Sequence, residues 1–118
     1  MKTVILYGDQ KNLGLFQQEL EEYSILYPSD QDELIHTLMK RCPAVVLVIM
    51  EKAAGMEGVI AIRKIYPDIP VVWFSNDEGF AAQAFRLNVD YFALMPVSKE
   101  KINTALKKCR IHADPQYR

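Results

Sequence analysis

The sequence predicts an α/β fold in which five parallel strands form one sheet with helices on both faces. Three observations predict it. Short apolar runs alternate with longer amphipathic segments along the whole chain. The central run, Val45-Val46-Leu47-Val48-Ile49-Met50, shows no polar alternation, as a strand buried on both faces should. Finally, Pro28, Pro43, Pro67, Pro70 and Pro96 all fall between segments, where a missing N–H costs least.

The elements follow in order. Val4–Tyr7, Ser24–Tyr27, Ala44–Met50, Val71–Phe74 and Tyr91–Met95 are short, rich in β-branched or aromatic residues and bounded by turn residues, so they are assigned as strands. From Leu13 to Tyr23 the residues Leu13, Phe16, Leu20 and Tyr23 share one helical face. Asp30-x-x-Glu33 forms a capping arrangement for a second helix, which buries Leu34, Ile35, Leu38 and Met39. A third helix spans Glu57 to Tyr66, with Val59, Ile60 and Ile62 supplying apolar contacts. Asp77 caps a fourth from Gly79 to Leu87, and Ser98 caps a fifth that buries Ile102, Ala105, Leu106 and Cys109. The repeat of about 20 residues also fits a solenoid. The segments share no repeated side-chain signature, which favours a single sheet. Residues 1–110 form the domain, and 111–118 read as a tail or the start of a linker.

Composition narrows the function. Fourteen Lys and Arg against fifteen Asp and Glu leave no basic excess, which disfavours nucleic-acid binding through this domain. The lysines near the C-terminus read as the solvated face of the last helix. No signal peptide or membrane span is visible, and Cys42 and Cys109 form no metal-ligand or redox spacing; a cytoplasmic protein with two reduced thiols is expected.

In an open parallel sheet, ligands bind beyond the carboxyl ends of the strands, where the strand order reverses. For the flavodoxin-like order 2-1-3-4-5 that place lies between the first and third strands. The expected crevice holds Asp9, Glu51, Lys52, Ser75 and Met95. Ser75 has no histidine partner, since His36 falls on a surface helix and His112 in the tail, and no glycine-rich phosphate loop is present. An enzyme is therefore not expected.

The segments Ile69-Pro70-Val71-Val72-Trp73-Phe74-Ser75, Ala84-Phe85-Arg86-Leu87-Asn88-Val89-Asp90-Tyr91-Phe92 and Met95-Pro96-Val97-Ser98 resemble the receiver domain of two-component response regulators, in particular the receiver of LytTR-type regulators. The turn Gly55-Met56-Glu57-Gly58 is similar to the loop after the family's phosphorylated strand. The resemblance covers Val4 to Cys109. It implies a CheY-like domain that takes part in phosphorelay signalling and transcription regulation. It also implies roles at particular positions, several of which are vacated here.

The acidic pair that holds magnesium in the family reads Gly8-Asp9. The phosphoacceptor aspartate corresponds to Met50, or to Ile49 when counted from Pro43. The lysine before the proline is Met95. Ser75 matches the phosphate-sensing hydroxyl, and Phe92 the switch aromatic without its phenol. Aspartyl phosphorylation needs a carboxylate nucleophile, a divalent cation and a fixed positive charge. These substitutions therefore imply a pseudo-receiver with little capacity for Mg2+, for which Asp9 and Glu51 are only weak ligands. Lys52 is a candidate substitute for the cation, although an exposed loop residue is the simpler reading. Glu51 as a built-in phosphate mimic is disfavoured, because neighbouring strand residues point to opposite faces.

The resemblance further implies a protein partner or homodimer through the fourth helix, fifth strand and fifth helix, with Phe80, Phe85, Arg86, Tyr91, Phe92, Lys99 and Lys101 on those elements. DNA would be reached only through a C-terminal output domain that this sequence does not include. The alternative is a flavodoxin-like small-molecule binding domain that uses a crevice made apolar by Met50 and Met95.

Overall fold

The computed structural model describes residues 2–8 and 11–109. Strand β1 (Thr3–Gly8) is followed by α1 (Leu13–Glu19), β2 (Ser24–Leu26), α2 (Gln31–Lys40), β3 (Val45–Ile49), α3 (Lys52–Ile65) and β4 (Val71–Ser75). A 3-10 turn (Glu78–Phe80) then leads into α4 (Ala81–Arg86), β5 (Tyr91–Leu94) and α5 (Lys99–Cys109). All neighbouring strands are parallel, in the order β2-β1-β3-β4-β5. This is the doubly wound, flavodoxin-like arrangement expected from the sequence.

Strand alternation splits the core in two. Val4, Leu6, Val45, Leu47, Ile49, Val72 and Phe74 face α1 and α5, packing against Phe16, Leu20, Ile102 and Leu106. Ile5, Tyr7, Val46, Val48, Val71 and Trp73 face the other side, packing against Leu34, Leu38, Val59 and Ile62. Every residue of β3 and β4 is buried, which explains their lack of polar alternation. Burial pushes the Cys109 thiol up to about 12, and Cys42 is exposed; both are free thiols.

The caps of α2 and α5 are as the sequence indicates, while Asp77 caps the 3-10 turn instead of α4. The Asp30 carboxylate accepts a hydrogen bond from Glu33 N at 2.8 Å, while Glu33 Oε1 accepts one from Ser29 N at 2.7 Å. Ser98 Oγ accepts from Lys101 N at 3.1 Å, and Asp77 Oδ1 from Gly79 N at 2.8 Å.

Four expectations are corrected. Helix α3 begins at Lys52, five residues before the expected start, so Gly55-Met56-Glu57-Gly58 is helix and not turn. Its two glycines serve close packing: a Cβ at residue 58 would lie 2.9 Å from the Tyr7 ring, and one at residue 55 would lie 2.7 Å from Trp73 Nε1. Helix α1 stops at Glu19, and Leu20 to Tyr23 form a turn closed by Tyr23 N donating to Leu20 O at 2.9 Å. The segment expected as one fourth helix divides into the 3-10 turn and α4, because Asp77 caps the tighter turn. Met39 is 73% exposed and does not join the buried face of α2; Leu34 and Leu38 fill that space.

Candidate functional site

The carboxyl ends of β1 and β3, together with the segment after β5, enclose a cleft of about 600 Å³. Its apolar wall is made by Ile49, Met50, Met95 and Val97, and its polar rim by Lys11, Asn12, Ser29 and Glu51. Ile49 ends β3 with its side chain in the α1/α5 core, and Met50, the next residue, packs against the opposite core. The Met95–Pro96 peptide is cis, and Met95 N donates to Ser75 O at 2.8 Å, tying the end of β5 to β4.

The register places Gly8 beside Ile49. Gly8 has a φ of 124°, and a Cβ there would lie 2.1 Å from Ile49 O and 2.6 Å from Met50 Cγ. Only glycine fits this backbone and this approach. The tip of β1 is thus closed onto the tip of β3, and the Met50 side chain occupies the space into which any side chain at residue 8 would project. In the sequence Gly8 stands only as a missing acid; its steric role has no signature there beyond the residue itself.

The other expected site residues are dispersed. Asp9 lies outside the described residues. Ser75 is fully buried, and its Oγ accepts from Asp77 N at 3.1 Å, so it shapes the turn after β4 and does not line the cleft. Lys52 is exposed and is likewise not among the lining residues. It adopts a φ of 59°, a left-handed conformation costly for a side-chain-bearing residue, and its N–H donates to Asn76 Oδ1 at 3.1 Å. That bond joins the loop after β3 to the loop after β4. Phe92 is half-buried and packs edge-on against Trp73, with ring centroids 5.2 Å apart. Trp73 is itself fully buried, and its Nε1 has no hydrogen-bond partner among the described residues. Gly55 lies against it, since a Cβ at residue 55 would meet Nε1 at 2.7 Å.

The described lining residues alone do not supply the ligands of a magnesium ion. Magnesium requires near-octahedral oxygen ligation. The described lining residues offer one carboxylate, Glu51, and the described residues contain no group of three or more acidic, histidine or cysteine ligands. Tyr7 also lines the cleft, and its phenol is raised above its usual pKa by burial, with Asp30 and Glu57 adding to the shift.

No protein-family profile and no curated protein matches the sequence. Solved structures do match its shape. The non-phosphorylated HemR receiver domain from Leptospira biflexa superposes with a TM-score of 0.78 at 16% identity over 98% of each chain. The fold is the receiver fold. A receiver domain protein from Clostridium thermocellum gives a TM-score of 0.78 at 20% identity, covering 92% of this chain and 94% of its own. The Thermotoga maritima response regulator TrrA, solved in complex with Mg2+-BeF, gives 0.75 at 19% identity over 92% and 99%. On the receiver fold, the cleft stands at the sheet's topological switch point, between β1 and β3. No described helix is long and apolar enough to cross a membrane.

Proposed function

We propose that this chain is a pseudo-receiver of bacterial two-component signalling, similar to the receivers of LytTR-type regulators, which acts by protein contact without aspartyl phosphorylation. The observation that carries this reading is the closure of β1 onto β3. With the Ile49 carbonyl and the Met50 side chain pressed against Gly8, the cleft has neither a nucleophilic carboxylate at the tip of β3 nor room for an acid at residue 8. Met95 supplies an apolar chain where a fixed cation would be needed. A phosphoryl group placed there would lack a carboxylate nucleophile on β3 and a cation at residue 95. Lys52, in this reading, anchors a loop through its backbone and is not a substitute cation beside Asp9.

The contact surface is the α4–β5–α5 face. Phe85 is 84% exposed and Leu94 is 37% exposed, apolar side chains on α4 and β5 that a partner would cover. Lys101 Nζ donates to Leu94 O at 2.6 Å and Pro96 O at 3.0 Å, which fixes the end of β5 against α5. In a switching receiver, phosphate shifts an equilibrium between two states. Here the packing of Phe92 on Trp73 holds one of them.

Incubation with acetyl phosphate and magnesium, followed by intact-mass measurement, tests the proposal. No phosphoryl adduct is expected. An adduct that disappears on substitution of a single Asp or Glu overturns it.

A second reading is supported by the cleft's size, which falls within the roughly 300–1,000 Å³ usual for small-molecule sites. Its methionine-rich wall suits an apolar or aromatic ligand. Thermal-shift measurements with flavins and nucleotides separate the readings: saturable stabilisation that is lost in Met50→Asp favours the ligand-binding domain.

A further inference from the structure

Five methionines occur in the chain, and the structure sorts those it describes by their surroundings. Met39 is 73% exposed on α2 and belongs to neither core layer. Met56 is half-buried on α3, packs on the layer of Trp73, and is not part of the cleft lining. Among the described methionines, Met50 and Met95 alone line the cleft. Both are half-buried, and they stand on different layers of the core. Met50 packs against the layer of Tyr7 and Trp73, and Met95 against the layer of Leu47 and Phe74. Met50 also belongs to the closure of β1 onto β3. Its Cγ, the atom bonded to sulfur, lies 2.6 Å from the place where a Cβ on Gly8 would stand. The sulfur is thus one bond away from the contact that seals the two strand tips.

We propose that Met50 and Met95 form an oxidation site whose substrate is a hydroperoxide, with hydrogen peroxide the simplest case. A thioether needs neither a base nor a metal for this reaction, and the described lining offers no histidine or cysteine that would compete for it. A sulfur lone pair attacks one peroxide oxygen and the O–O bond breaks. The proton on the transferred oxygen passes to the departing oxygen. Methionine sulfoxide and water result; sulfur gives up two electrons and the peroxide takes them. The product is polar where the thioether was apolar. A sulfoxide oxygen held against either core layer without a donor is unfavourable, so the side chain turns toward water at the rim. At Met50 that movement withdraws the packing on Gly8 and on the layer that holds Trp73. At Met95 it loosens the segment after β5, next to the bond from Met95 N to Ser75 O. Oxidised Met39 stays in water and disturbs neither layer. Consequence, rather than intrinsic reactivity, is what distinguishes the cleft pair. The cleft then takes a redox input at the place where a receiver takes a phosphoryl group. The chemistry needs only the cleft, so a phosphoryl adduct in the acetyl phosphate assay leaves it standing.

Graded hydrogen peroxide on the intact chain, followed by peptide mapping and by Trp73 emission, tests this proposal. Met50 and Met95 should each gain one oxygen at rates within about tenfold of Met39, and ahead of Met56. Trp73 emission should shift to the red as Met50 is oxidised. The shift should persist in Met39→Leu and vanish in Met50→Leu, a volume-conserving change that keeps the fold. Methionine sulfoxide reductases for both epimers, with a dithiol, should return the emission to that of the untreated chain. Oxidation of Met50 or Met95 only in step with Met56 overturns the proposal, since the pair then reacts only when the core opens. So does a shift that survives in Met50→Leu, or complete oxidation of Met50 with no shift at all.

Discussion

The two ends of the sheet are held by different physics. At the amino ends of β4 and β5, one side chain gathers the chain. Arg63 of α3 donates to Leu87 O at 2.7 Å, Ile69 O at 2.6 Å, Asn88 O at 2.8 Å and Tyr66 O at 3.2 Å, and stands 3.8 Å from Asp90 Oδ1. Asp90 Oδ1 in turn accepts from Val71 N at 2.9 Å. Burial lowers the Arg63 pKa, and the neighbouring carboxylates of Asp90 and Asp68 oppose that shift. At the carboxyl ends of β1 and β3 the structure relies instead on apolar contact, on one loop-to-loop bond from Lys52 to Asn76, and on a glycine pressed against a carbonyl. The arginine clamp thus stands at the end away from the cleft and shares no residue with its lining.

That contrast can be broken most sharply at the amino end. Arg63→Ala strands several carbonyls and leaves Asp90 without its partner, and should cost about 3–4 kcal/mol in urea denaturation. Arg63→Lys, a point charge without the planar fork, should recover less than half of this. At the carboxyl end the largest effect belongs to backbone. Gly8→Ala combines an unfavourable φ with overlap on Ile49 O, and should cost about 2–3 kcal/mol by the same measurement. A loss below about 0.5 kcal/mol would show that the tips of β1 and β3 part easily and would weaken the steric case against an acid there. The smallest effect concerns Lys52. Lys52→Gly relieves a left-handed residue and should raise stability by about 0.5 kcal/mol.

Much of the architecture was legible because local and global preferences agree. The uninterrupted apolar run of β3, the Asp30–Glu33 box and the Ser98 cap each carry a physical cause that does not depend on distant residues. What escaped the sequence depends on tertiary partners. Arg63 and Lys64 are adjacent basic residues with nothing to distinguish them locally; only the position of Asp90 and the end of α4 makes one a clamp and leaves the other on the surface. Gly55 and Gly58 look like turn residues until Trp73 and Tyr7 are seen pressing on α3. The position of the cleft followed from strand order, and it gathers Ile49, Met50, Glu51 and Met95. Ser75 and Lys52, expected in the same crevice, contribute to turns beside it, because side-chain direction at a strand end is set by the following loop and not by spacing.

The indole at the heart of the second core layer has a practical consequence. The chain contains a single tryptophan. Trp73 packs against the rings of Phe80 and Phe92, with Gly55 close to its Nε1. Its emission is therefore an optical gauge, built into the molecule without labelling, of whether the aromatic stack beneath the cleft loosens when a partner or small molecule arrives.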